Sequence, residues 1–108
     1  MNLTDKKCVP CEGGTPPLDA GKISTYLEQL RSQWEVLDQK KIRKEFKFKS
    51  FKEAIAFVNT VADLAESEGH HPDIHVLYNR VVIELWTHAV GGLSENDFIL
   101  AAKIEAFK

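Results

Sequence analysis

Residues Ile42 to Gly69 read IRKEFKFKSFKEAIAFVNTVADLAESEG, and the rhythm of the apolar positions changes at Ser50. Before Ser50, Ile42, Phe46 and Phe48 share one parity while Arg43, Glu45 and Lys47 share the other. That period of two is the pattern of a strand over 42–48 with one face in water. After Ser50, Phe51, Ala54, Ile55, Val58, Val61, Ala62 and Ala65 recur at helical spacing and predict an amphipathic helix. Ser50-x-x-Glu53 has the form of a capping box, in which each side chain satisfies a free backbone N–H at the helix start. Gly69 supplies the stop.

Working outward, Ile23, Tyr26, Leu27 and Leu30 predict a short helix over 19–31, followed by a short strand over 34–37. Asp38-Gln39-Lys40-Lys41 is the expected hairpin loop, although it lacks the strongest turn dipeptides. On the C-terminal side, strands are expected over 73–78 and 80–87, divided near Asn79. Val81, Ile83 and Leu85 fall on one side of the second strand, and Val82, Glu84 and Trp86 on the other. Gly91-Gly92 reads as a loop. Ser94-x-x-Asp97 then opens a last helix whose buried side is Leu100, Ala101, Ile104 and Phe107. The order α-β-β-α-β-β-α defines an α+β domain, a four-stranded antiparallel sheet with three helices packed on one face. Residues 1–17 hold five prolines and glycines, Pro10, Gly13, Gly14, Pro16 and Pro17, and read as an irregular arm with a CxxC; 18–108 is a single domain.

Composition narrows the function. The chain has 108 residues, 44% of them hydrophobic, and a formal net charge of −2, which suits one globular domain and gives no electrostatic footprint for nucleic acid. The basic series Lys40, Lys41, Arg43, Lys44, Lys47 and Lys49 is interrupted by Glu45 and by apolar residues, as on the solvated side of a strand. No apolar run has the length of a membrane span, and Met1 to Lys7 has no hydrophobic signal segment, so a cytoplasmic, soluble protein is expected. Two cysteines, Cys8 and Cys11, are too few and too close for a disulfide framework.

All four histidines lie between positions 70 and 88. Imidazole titrates near neutral pH, so a cluster of them flanked by Glu66 and Asp97 points to proton transfer. His70 and His71 follow the helix stop, and Pro72 forces His71 into extended backbone, so the two rings point apart and serve separate roles. His88 closes the fourth strand before a glycine loop, a usual position for a working residue. His75 is an exposed residue within a strand and stays outside the mechanism. Asp97 already has a structural task in its capping box, and both readings hold if its second oxygen orients an imidazole. Glu66 otherwise reads as a solvated helix acid. Cys8-x2-Cys11 has the spacing of half a zinc site, but there is no second CxxC, and the histidine site is expected to hold no metal.

The series Glu66-x3-His70-His71-Pro72-x5-Tyr78-x9-His88-x8-Asp97 resembles the signature of the pterin-4a-carbinolamine dehydratases over roughly residues 18–108, with Thr87-His88 and Gly92-Leu93-Ser94-x-x-Asp97 included. The resemblance implies the αββαββα fold and a lyase that removes water from 4a-hydroxytetrahydropterin to give quinonoid dihydropterin. It implies tetrahydrobiopterin recycling beside an aromatic amino acid hydroxylase, with the pterin as substrate and no cofactor. Carried over by position, His70, His71 and His88 are the acid–base residues, with His71 preferred as the principal one. His70, His71, Pro72 and His88 bind the pterin, and Asp97 and Glu66 support them. A homodimer or homotetramer is implied as well. The alternative from the same resemblance is a protein-interaction module of the dimerisation-cofactor or transcriptional-coactivator type, with or without dehydratase activity.

Overall fold

The change of rhythm at Ser50 is a change of element in the computed structural model, which describes residues 3–9 and 16–107. Strand β2 spans Lys41–Lys47 and helix α2 spans Phe51–Glu68, with Ser50 as its N-cap accepting from the Glu53 N–H at 3.2 Å. Gly69 ends α2 in the left-handed conformation, φ 67°, which costs a residue without Cβ little. Around this unit stand α1 (Ala20–Glu28), β1 (Glu35–Leu37), β3 (Asp73–Leu77), β4 (Arg80–Leu85) and α3 (Glu95–Glu105). The sheet is antiparallel in the order β1-β2-β4-β3, with the helices on one face. The expected α-β-β-α-β-β-α domain is what the chain forms.

Register assigns the faces. Ile42 pairs with Leu85, Lys44 with Ile83 and Phe46 with Val81, and the apolar members of these pairs are buried under the helices. Ile42, Val81, Ile83 and Leu85 are fully buried, each contributing about 1.5–3 kcal/mol by leaving water. The opposite face carries Arg43, Glu45, Arg80 and Glu84, where Arg43 and Lys41 lie 3.9 Å from Glu84 and Arg80 lies 3.5 Å from Glu45. Cations of the basic series thus face carboxylates on neighbouring strands.

The hairpin between β1 and β2 turns through Asp38 and Gln39, both at positive φ (53° and 57°), closed by Lys40 N–H donating to Leu37 at 2.9 Å. Two consecutive left-handed residues are what a type I′ turn needs, supplied here without glycine. Helix α1 is shorter than the expected 19–31, because Gln29 and Leu30 donate in i→i−3 bonds that tighten its end. Two apolar stripes also differ from expectation. In α2 the buried series is Ala54, Phe57, Val61 and Ala65, while Phe51 is half exposed and Ala62 exposed. Phe57 packs on Phe46 and Phe48 (ring centroids 4.9 and 5.0 Å), and that contact sets the helix rotation. In α3, Leu100, Ala101 and Ile104 are buried as expected, but so are Phe98 and Ile99, and Phe107 lies exposed past the helix end. The reason is a second cover: Leu3, in a 3₁₀ turn over Leu3–Asp5, is buried in the core cluster, and Tyr26 of α1 stacks on Phe98 at 5.2 Å. Among the described residues no helix is long and apolar enough to cross a membrane.

Candidate active site

The left-handed turn at Gly69 delivers two histidines in opposite directions. His70 turns inward: its Nε2 lies 2.6 Å from Asp97 Oδ1, with the imidazole 12% exposed and the carboxylate fully buried. His71 turns outward, its Nε2 lying 2.5 Å from Glu66 Oε2, with side chains 61% and 77% exposed. Adjacent residues on extended backbone thus enter two different histidine–carboxylate pairs. Glu66, four residues before His70, meets His71 instead.

Asp97 is fixed from every side. Its Oδ2 accepts from the Ser94 N–H and from the Thr87 hydroxyl, both at 2.9 Å. Because Thr87 donates its one proton to the carboxylate, Ser94 Oγ must be the donor in the 2.7 Å contact between the two hydroxyls. A carboxylate only accepts when ionised, and paired with one the His70 ring takes the tautomer with a proton on Nε2, toward Asp97 Oδ1. In that tautomer Nδ1 carries no proton. The arrangement has the logic of a base held in one tautomer by a buried carboxylate. It arises locally: Asp97 is the third residue of α3 and caps it, and Thr87 continues the core-facing parity of Val81, Ile83 and Leu85.

His88 begins a 3₁₀ turn, His88–Val90, that Gly91 closes at φ 68°. Its ring lies 3.7 Å from that of Trp86 between centroids, so the indole sets the imidazole's orientation. Gly92 behind this turn admits Pro17, which would stand 2.9 Å from a Cβ there. His70, His71, Pro72 and His88 line one cleft of about 400 Å³, together with Trp86, Thr87 and Asn96. Asp97 stands behind His70, and Glu66 lies on the outer side of His71. Tyr78, in the turn at the other end of β3, and His75, exposed on the open sheet face, do not reach the cleft. A larger groove of about 880 Å³ between α1 and the β1–β2 hairpin contains no histidine. The convergent titratable groups, rather than volume, identify the site.

The arm supplies the remaining wall. Cys8 N–H donates to Glu68 Oε1 at 2.8 Å, Val9 N–H donates to Asn96 Oδ1 at 3.0 Å, and Asn96 Nδ2 donates back to the Val9 carbonyl at 2.5 Å. Val9 lines the cleft. Burial, assisted by Glu68, pushes the Cys8 thiol up to about 12, so it stays a protonated donor, directed at the Asn96 carbonyl at 3.6 Å. Glu68 is raised by burial, but the Lys103 ammonium at 2.6 Å and the Cys8 N–H outweigh this and hold it below the ordinary carboxylate value. Cys11 lies outside the described residues, and among those described no three His, Cys, Asp or Glu side chains are grouped to hold a metal ion.

From sequence, Trp86, Val9 and Asn96 have no site role, and Thr87 enters only as part of the Thr87-His88 signature. Thr87 had a signal, a lone hydroxyl at the end of an apolar strand face. Trp86 had a weaker one, an indole two residues from His88. The Val9–Asn96 pair spans 87 residues and had none.

An α+β domain with imidazoles gathered at a cleft, one of them paired with a buried carboxylate, is equipped for proton transfer. Comparison narrows that class. The family model for pterin 4 alpha carbinolamine dehydratase matches residues 16–107, and the chain belongs to this family. A protein of Alkaliphilus metalliredigens, provisionally named a pterin-4-alpha-carbinolamine dehydratase, is 49% identical over 104 residues, 96% of this chain and 94% of its own. A Nitrosospira multiformis protein with the same provisional name is 53% identical over 104 residues, 96% of this chain and 90% of its own. Among solved structures, the transcriptional coactivator/pterin dehydratase from Brucella melitensis has a TM-score of 0.78 at 35% identity, covering 83% of this chain and 96% of that one. A pterin dehydratase-like protein identified as a RuBisCO assembly factor in the alpha-carboxysome has a TM-score of 0.61 at 27% identity, covering 70% and 89%.

Proposed function

We propose that the protein dehydrates 4a-hydroxytetrahydropterin by histidine acid–base catalysis, with the pterin as substrate and no cofactor. One observation carries the reading: His70, its Nε2 lying 2.6 Å from the buried Asp97 carboxylate, shares a cleft with His71 and His88. The reaction asks for two proton transfers. An acid protonates the 4a-hydroxyl, the C4a–O bond breaks and water leaves; a base takes the N5 proton as the C4a–N5 double bond forms. Groups titrating near neutrality suit both steps, each contributing about 10²–10⁴-fold.

The geometry favours a different emphasis from the sequence. His70 has the fixed orientation that a proton donor or acceptor needs, whereas His71 pairs with a carboxylate in open solvent. We assign His70 the principal proton transfer, His88 the second, and His71 with Pro72 the binding of the pterin edge. Recycling of the pterin after an aromatic amino acid hydroxylase is the metabolic setting this activity suits.

A second reading is favoured by a separate feature. Strand β3 is an edge of the sheet, and Val76, Leu77 and Tyr78 are exposed there. An edge of this kind pairs readily with another chain, which supports a homodimer or homotetramer and also the interaction-module alternative. A dehydratase assay on freshly generated 4a-hydroxytetrahydropterin separates the two. The wild type accelerates dehydration if the enzyme reading is right, and His70→Ala loses more turnover than His71→Ala. A folded wild type with no acceleration would leave only the interaction module.

A further inference from the structure

We infer that the N-terminal arm is a working wall of the cleft, and that Val9 is a specificity-determining residue for the substituent at C6 of the pterin. The inference rests on the dehydratase reading for its ligand, and on the arm's own contacts for its place.

The arm crosses the two element ends that carry the His70–Asp97 pair. Cys8 is bonded to Glu68 at the end of α2, two residues before His70. Val9 is bonded twice to Asn96 in the first turn of α3, one residue before Asp97. Further back, Lys6 Nζ and Tyr26 Oη both bond Glu95 Oε2, at 2.8 and 2.9 Å, and Leu3 is buried in the core. On the far side of the cleft, Leu18 N–H donates to the Leu93 carbonyl at 2.9 Å and Pro17 packs against Gly92, beyond the turn that bears His88. Residues 3–9 are therefore held against the ends of α2 and α3, and Pro17 and Leu18 against the loop before α3.

Val9 presents an apolar side chain, 64% exposed, to a cleft whose other apolar members, Pro72, Trp86 and Ala89, belong to the segments that carry the histidines. The chemistry of the ligand selects its neighbour. The reacting C4a–N5 bond must lie at the imidazoles; C4a is flanked by C4, bearing a carbonyl that requires hydrogen-bond donors, and by C8a, bonded to two ring nitrogens, while N5 is flanked by C6, bearing a carbon substituent. A valine side chain has nothing to offer the carbonyl and packs against carbon. The C6 substituent is the part of the pterin that Val9 suits.

The test uses the full-length protein and two substrates, the 4a-hydroxy forms of tetrahydrobiopterin and of 6-methyltetrahydropterin. Val9→Ala, at an exposed position that cannot unfold the core, raises KM for the dihydroxypropyl substrate by about 3–10-fold, the cost of losing two methyl contacts. It raises KM less for the methyl substrate, and changes kcat less than KM in both cases. Independently of turnover, Asn96→Ala frees the arm, and carbethoxylation of His70 by diethyl pyrocarbonate, followed by peptide mass spectrometry, accelerates several-fold. An active protein in which Val9→Ala leaves both KM values unchanged would overturn the role of Val9. Unchanged His70 reactivity in Asn96→Ala would overturn the wall. A wild type that turns over neither pterin removes the dehydratase reading and with it the role toward C6, and the wall is still decided by His70 reactivity.

Discussion

His70 and His71 are neighbours in sequence, and each meets a carboxylate at nearly the same distance, yet the two pairs differ in every energetic respect. His71 and Glu66 stand in water, where an ion pair contributes about 0–1 kcal/mol and is screened by salt. Asp97 is out of water and His70 meets it only at the cleft, and the carboxylate is tied to Thr87 and Ser94 as well. A buried carboxylate is expensive to expose and expensive to leave unpaired, so its partners form a unit. Distance alone says nothing about which histidine is held; burial and the remaining hydrogen bonds decide it.

Asp97→Ala breaks the comparison outright. It leaves a ring N–H, a hydroxyl and the Ser94 N–H without their acceptor and removes the cap of α3, a loss of about 3–5 kcal/mol measured by urea unfolding. Asp97→Asn, which keeps the shape but removes the charge, sharpens it: turnover falls by about 10²–10⁴-fold while the protein stays folded. Thr87→Val deletes the hydroxyl's bonds to the carboxylate and to Ser94 Oγ at nearly constant volume and costs about 1.5–3 kcal/mol.

Glu68 provides an intermediate case, nearly buried and paired with Lys103. Its pKa in the folded state lies below its ordinary 4.5, so the stability it contributes is fully present above that value and is lost as pH falls through the folded one. Unfolding free energy therefore declines on acidification below about pH 4.5, and Glu68→Gln flattens part of that decline. Glu66→Gln is the smallest change, about 0–1 kcal/mol, and disappears at high salt.

The fold was legible where local chemistry and periodicity agreed. Ser50-x-x-Glu53, Gly69 and the alternation from Ile42 each bound one element, and Pro72 after two histidines foretold that their rings would diverge. The helix faces are less legible: Phe57 stands outside the periodic stripe of α2, and its partners, Phe46 and Phe48, lie before the helix in another part of the chain. All-round burial of α3 depends on a cover from Leu3 and Tyr26, which no period within α3 can report. The histidines of the cleft could be named from sequence because they crowd into nineteen positions, 70 to 88. Val9 and Asn96 could not, since only the tertiary fold makes them neighbours.

That separation of 87 residues also bears on how the molecule is made. Closing so long a loop is entropically costly and rewards the chain only once α3 exists and has docked. The wall beside His70 is then among the last contacts to form, after sheet and helices are in place. During synthesis or refolding the histidines stand in a half-built cleft, and secondary structure should recover before His70 becomes shielded from solvent.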